Sequence, residues 1–153
     1  MVTLDVKIVK LEPMRVICFN GFGESPEELA FEQLFAWAKT YGKNGRVFGY
    51  NNPNPAPGSP KYGYDAWMVV DQDVQAESEA RIIDFPGGLY AVTRCEVKKP
   101  WEDIPNTWQK LVRWRESSRY RGGSHQWLEE HIAPQGAAND IQFTLELYLP
   151  IKE

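Results

Sequence analysis

Two stretches of this chain repeat one order of elements: strand, helix, strand, strand. The first spans residues 14–71 and the second 89–151. Each closes on a long strand of alternating character, and each helix takes the same place in its stretch. In the first closing strand Tyr64, Ala66, Met68 and Val70 face away from Asp65, Trp67 and Val69. In the second, over 141–151, Phe143, Leu145, Leu147 and Leu149 alternate with Thr144, Glu146, Tyr148 and Pro150. The expectation is an α+β fold, a tandem pseudo-repeat of strand-helix-strand-strand units joined by a strand over 80–85. The sheet is antiparallel with both helices on one face. At 153 residues the chain makes a single domain over 1–153 with a sizeable core.

Local signals place the elements. Residues 4–11 alternate as an edge strand, and 14–20 form a more apolar one. Ser25 reads as an N-cap, with Pro26 at the first helical position and Glu28 completing a capping box. The helix then runs to Tyr41, stopped by Gly42, with Leu29, Phe31, Leu34, Phe35, Ala38 and Tyr41 on its apolar face. The second helix is expected over 104–117, capped by Asp103, with Ile104, Trp108, Leu111 and Val112 turned inward. Pro86-Gly87-Gly88 demands a turn with positive φ. Asp65, set among large apolar residues, reads as a hydrogen bond that fixes the turn into its strand.

Residues 126–132 are ambiguous alone, an amphipathic helix or a strand. The repeat decides for the strand, because they fill the slot after the second helix. As a strand, Leu128, Glu130 and Ile132 face one way, into the core, while Trp127, Glu129 and His131 face the other. That second set brings an indole, a carboxylate and an imidazole together.

Composition removes several functions. The net charge of −4 argues against broad nucleic-acid binding and is compatible with cationic ligands. No leader precedes Val2 and no run is long enough to span a membrane, so a cytoplasmic protein is expected. Cys18 and Cys95 lie in apolar runs and are expected as buried free thiols. Two Cys and two His (His125, His131) without ligand spacing make no metal site, and no cofactor motif is present. Six Trp and seven Tyr are more than a core of this size needs, so some can line a pocket.

The chain resembles the gyrase-inhibitor-like small-molecule-binding domain, which also serves AraC-type and MerR-type transcription regulators as an effector-binding domain. The resemblance rests on Phe31-Glu32-Gln33-Leu34 with Trp37, on Tyr64-Asp65, and on Gly87-Gly88-Leu89-Tyr90-Ala91-Val92. It continues through Leu128-Glu129-Glu130-His131-Ile132 and Leu145-Glu146-Leu147-Tyr148-Leu149-Pro150-Ile151. It covers nearly the whole chain and implies a ligand pocket in a groove between the two units, lined by aromatics around a buried glutamate. The matching position is Glu129, although Glu130 stands where the family has an apolar residue and His131 where an aromatic is frequent. The candidate ligand-binding residues are Glu129, Tyr148, Trp127, Tyr64, Trp67, Tyr90, Glu146 and His131.

A buried carboxylate ringed by aromatic faces suits a lipophilic, cationic, aromatic ligand. The chain carries no helix-turn-helix, so the expectation is a stand-alone binding protein, monomeric or weakly dimeric, with no direct hold on nucleic acid or membrane. Binding is favoured over catalysis, since no nucleophile, base and orienter come together. Two alternatives follow from the resemblance. One is a hydrolase of strained, cyclopropane-type natural products; the other is a protein-binding modulator of a DNA topoisomerase.

Overall fold

The structure, a computed structural model, describes residues 4–75, 80–132 and 143–153. In chain order its elements are β1 (Lys7–Leu11), β2 (Met14–Gly23), α1 (Pro26–Tyr41), β3 (Val47–Asn51), β4 (Tyr62–Val69) and β5 (Arg81–Phe85). There follow β6 (Gly88–Val97), α2 (Pro100–Glu116), β7 (Arg121–Gly122), β8 (Leu128–His131) and β9 (Phe143–Lys152). The expected α+β, antiparallel, twice-repeated order is therefore present, and 126–132 does hold a strand. The first two residues expected of the last strand, Ile141 and Gln142, lie outside the described residues, as does Val2.

The chain forms two compact units, Pro13–Pro86 and Met1–Glu12 with Gly87–Glu153; we call them the N-terminal and C-terminal units. In the N-terminal unit β4 pairs with β3 on one side and β2 on the other, and β2 pairs with β5. In the C-terminal unit β9 pairs with β8 and β6, and β6 pairs with β1. All these pairings are antiparallel. Each unit thus has four strands in one spatial order, β5-β2-β4-β3 and β1-β6-β9-β8. The short β7, where the sequence suggests only a Gly-Gly turn, adds to the far end of β9.

Helix α1 lies on one face of its sheet because every fourth residue is small or aliphatic. Pro26, Ala30, Leu34 and Ala38 are its buried row, packed on Ile17, Phe19, Val47, Tyr64, Ala66 and Met68. The two alanines let the helix approach closely, so the larger aromatics flank the contact. Phe31 meets Tyr64 at 5.6 Å and Trp37 meets Phe19 at 6.4 Å. Leu29, Phe35 and Tyr41, expected in the apolar face, are exposed instead. Leu34 is fully buried, and truncating it to Ala should cost about 3 kcal/mol. Pro26 begins the helix, but Ser25 makes no side-chain cap and the expected capping box is not formed. Gly42 closes it in the left-handed conformation at φ 62°.

Helix α2 begins four residues earlier than the sequence suggests, at Pro100. Asp103 caps it from inside the first turn, its carboxylate accepting from the backbone N–H groups of Lys98 and Lys99 at 2.9 and 2.8 Å. Those bonds hold its pKa below the usual carboxylate value. Leu111 is buried, with Ile104, Trp108 and Val112 partly so, over Ala91, Cys95, Leu145, Leu147, Leu149 and Ile151. The turn into β6 needs its glycine: Gly87 has φ 81°, and a Cβ there would lie 2.1 Å from the Leu11 carbonyl oxygen. Cys18 and Cys95 are buried free thiols.

Candidate functional site

Strand β9 divides its side chains between two environments. Leu145, Leu147, Leu149 and Ile151 meet α2. Glu146, Tyr148 and Pro150 therefore point to the face away from α2. The register fixes their neighbours there: Tyr148 stands between Val92 and Leu128, Glu146 between Arg94 and Glu130, and Pro150 beside Tyr90. Lys7 extends the Val92 row onto β1.

This face is aromatic at one end and charged at the other. Tyr90 and Leu128 are fully buried, and Tyr148 and Glu130 nearly so. The Tyr148 hydroxyl donates to Glu130 Oε1 at 2.7 Å. Tyr90 sets its ring edge-on to Tyr148 at 5.5 Å and to His125 at 4.8 Å. Its hydroxyl donates to the Gln126 carbonyl, and burial raises its pKa above the ordinary phenol value. His125 bonds the Leu89 carbonyl through Nε2 at 2.7 Å. Its ring lies between Gly88 and Gly123, where a Cβ on either would come within 2.6 Å of a ring atom. At the charged end Glu146, 9% exposed, pairs with Arg94 at 3.1 Å and Lys7 at 3.7 Å.

The eight residues singled out from the sequence lie in both units, and those of the C-terminal unit divide between two faces. Tyr90, Glu146 and Tyr148 share the face just described. Glu129 does not: it pairs with Leu147 on the α2 side, where its Oε2 accepts from Trp108 Nε1 at 3.3 Å. Trp127 goes with it, 5.2 Å from Trp108 and 41% exposed. His131, opposite Leu145, is on that side too, and burial drives its pKa down to about 4 against the pull of the Glu130 charge. The alternation grouped these residues correctly but gave each group the wrong face. One side of β8 is buried and the other partly so, and neither is open to solvent, so period alone does not say which side meets the helix. Glu130 and His125 are the residues the sequence reading passed over. Glu130 had a usable signal: a second acid set among aliphatic residues of an alternating strand.

Tyr64 and Trp67 belong to the N-terminal unit and stand on opposite faces of β4. Tyr64 packs under α1. Trp67 shares the other face with Tyr50 at 5.2 Å and Phe85 at 5.4 Å. Next to it Asp65 is wholly buried. It accepts from Asn20 Nδ2 at 2.7 Å, Asn52 Nδ2 at 2.9 Å and Arg81 Nη2 at 3.1 Å. Asn52 follows β3, so Asp65 does tie the turn into the strand, as expected. Burial, and after it the Asp65 charge, raise Tyr50 above the ordinary phenol value and Cys18 to about 11.

The two faces are built on one plan. Arg81, Cys18, Trp67 and Phe48 form one cross-strand row, and Asn20, Asp65 and Tyr50 the next. The corresponding rows are Lys7, Val92, Tyr148 and Leu128, then Arg94, Glu146 and Glu130. Glu146 therefore occupies the place of Asp65, and each takes a cation from the outermost strand, Lys7 or Arg81. Glu130 occupies the place of Tyr50. It is the acid that the repeat does not require.

Among the described residues no group of three His, Cys, Asp or Glu is placed to hold a metal ion. No described helix is long and apolar enough to cross a membrane.

Residues 7–151 match the family described as integron-associated effector binding protein. Solved structures share the fold. The C-terminal domain of EcmrR is 11% identical, with 99% of each chain covered and a TM-score of 0.71. SAV2435 bound to tetraphenylphosphonium is 11% identical over 97% of this chain and 94% of that one, at 0.56. A hydrolase from Listeria innocua is 11% identical over 96% and 91%, at 0.65. No curated protein sequence matches the chain. The fold is thus that of small-molecule effector-binding domains.

Proposed function

The chain belongs to the family of integron-associated effector-binding proteins, and from that premise we propose that it binds a lipophilic organic cation with Glu130 as counter-charge. The observation that carries this reading is the buried Tyr148–Glu130 pair, at 2.7 Å, at the junction of the aromatic and charged ends of one face. A carboxylate taken out of water is costly, and a cation restores the lost interaction. Tyr148 orients the carboxylate, and the Tyr90 and Tyr148 rings beside it give the aromatic surroundings that suit a delocalised or quaternary cation. Such contacts have little directional demand, so the site tolerates a range of ligand shapes. The solved relative with tetraphenylphosphonium bound gives the chemical class a precedent in this fold.

Titration with tetraphenylphosphonium, followed by tryptophan quenching, tests the reading. Glu130→Gln should weaken binding by about 10–100-fold, the loss expected when a buried charged partner becomes neutral. Glu129→Gln should change it less than about twofold, because that residue serves Trp108. An unchanged affinity in Glu130→Gln would sink the proposal.

A second reading uses the same pair. In it Glu130 takes a proton from a water whose oxygen adds to the carbon of a strained electrophile as the ring bond at that carbon breaks, and Tyr148, its hydroxyl donating to Glu130, orients the carboxylate. The hydroxyl–carboxylate contact supports it, and one solved relative is named a hydrolase. A cyclopropane-bearing alkylating compound recovered intact after prolonged incubation would remove this reading and leave binding.

A further inference from the structure

The surface charges around the two helices are sorted by sign. From the second half of α2 to β7 the chain carries Lys110, Arg113, Arg115, Arg119 and Arg121 against one acid, Glu116; Glu153 adds another near Arg119. The helix dipole accounts for Arg113 and Arg115 in the last turn. It does not account for Arg119 and Arg121, which follow the helix. Among the described residues none of the five forms a salt bridge with a carboxylate side chain, whereas Lys7, Arg15, Arg81 and Arg94 each hold one. Arg115 reaches Gly122 on β7, and Arg121 bonds the Glu153 carbonyl. Lys110, Arg113 and Arg119 are exposed. Beside them Trp114 stacks on Tyr120, ring centroids 6.3 Å and planes 21° apart. The Arg119 guanidinium is held over Tyr120 at 4.9 Å and donates to its hydroxyl at 2.9 Å. Arginine set on large aromatic rings is the composition of an interaction surface.

Helix α1 presents the complement. Glu28, Glu32 and Phe35 follow at helical spacing on its outward side, with Leu29 next to Glu32. All four are exposed, Leu29 at 45% and Phe35 at 50%. The dipole favours Glu28 in the first turn, but it gives no reason for two large apolar side chains in water. Phe35 is stacked on Phe31 at 5.8 Å, so the exposed ring is held in place. The one cation of α1, Lys39, lies in its last turn, away from the acids. One surface is thus basic and aromatic, the other acidic and apolar.

We propose that α1 of one copy of this chain docks on the α2 end of a second copy, Glu28 and Glu32 against Arg113 and Arg119, with Phe35 beside the Trp114–Tyr120 stack. Each copy carries both members of the contact. Exposed ion pairs are individually weak, so the assembly is a weak, salt-sensitive one. It is independent of the cation-binding reading, because none of these residues belongs to the face of Glu130 and Tyr148.

Sedimentation equilibrium of the full chain tests the contact. Self-association should be measurable at about 100 μM protein in about 20 mM salt, and should weaken about tenfold or more at about 500 mM. Arg113→Glu/Arg119→Glu and Glu28→Lys/Glu32→Lys should each weaken it about tenfold or more. An equimolar mixture of the two variants should associate within about threefold of wild type, because every reversed surface again meets its opposite. A chain that stays monomeric at low salt overturns the inference. So does association that salt leaves unchanged, or a mixture as weak as its components. Should either variant not fold, Arg113→Gln and Glu32→Gln serve in their place, each weakening association about threefold; wild-type association in both overturns the inference. Binding of fluorescein-labelled single-stranded DNA without self-association, abolished in Arg113→Glu/Arg119→Glu, assigns the surface to nucleic acid and overturns the second copy.

Discussion

Asp65 and Glu146 hold the same place in the two units, yet their surroundings differ in kind. Asp65 is wholly buried and bonded by two asparagine amides and a guanidinium. Glu146 keeps some exposure and is met by two cations whose side chains are more than half exposed. The next position on the neighbouring strand is a tyrosine in the N-terminal unit and Glu130 in the C-terminal one. In the first unit one acid is surrounded by its own donors, which is how a buried carboxylate becomes structural. In the second unit the chain adds an acid to a face that already has one. On the binding reading proposed above, that added acid is the counter-charge of the ligand.

Three measurements bear on that contrast. The largest effect should come from Asp65→Ala, which strands two amide donors and a guanidinium. A loss of about 3 kcal/mol is expected, against about 1 kcal/mol for Glu146→Ala with its exposed partners. Thermal unfolding of the two variants decides it, and equal losses would erase the distinction between a structural and a supporting acid. Next is an acid limb confined to the C-terminal unit. The folded His131 pKa of about 4 lies below its ordinary 6.5. As pH falls the unfolded chain is protonated first, so stability should drop between about pH 6.5 and 4. The total is about 3 kcal/mol, at up to ~1.4 kcal/mol per pH unit. His131→Gln should flatten that limb, and urea midpoints across the range would show whether it does. Smallest is Glu129→Gln, in which the amide oxygen still accepts from Trp108. The change should stay within about 0.5 kcal/mol, and a larger one would mean that Glu129 does more than seat the indole.

Much of the architecture was legible in residue order. Gly42, Pro26 and the alternations of β4 and β9 announce their elements because caps and period-two patterns are local. The errors arose where a tertiary partner decides. Ser25 offers a cap that the chain does not use. Asp103 reads as a cap before its helix but works from within it, because Pro100 can start the helix earlier. Phe35 and Tyr41 fall on an apolar helical stripe, yet the close contact is made by Ala30, Leu34 and Ala38.

The candidate site divides along the same line. Residue order by itself determined that Trp127, Glu129 and His131 share one side of a strand, that Leu128 and Glu130 share the other, and that Tyr148 sits with Glu146. Each of these follows from the alternation of Cβ directions along one strand. Only the tertiary structure decided which side of β8 meets α2, and so put Glu130 rather than Glu129 against Tyr148. That choice depends on the register between β8 and β9 and on Trp108, which takes Glu129 as its indole acceptor from a helix some twenty residues earlier. A pairing between distant segments leaves no trace in the spacing of either one, because the energy that selects it exists only once both are packed together.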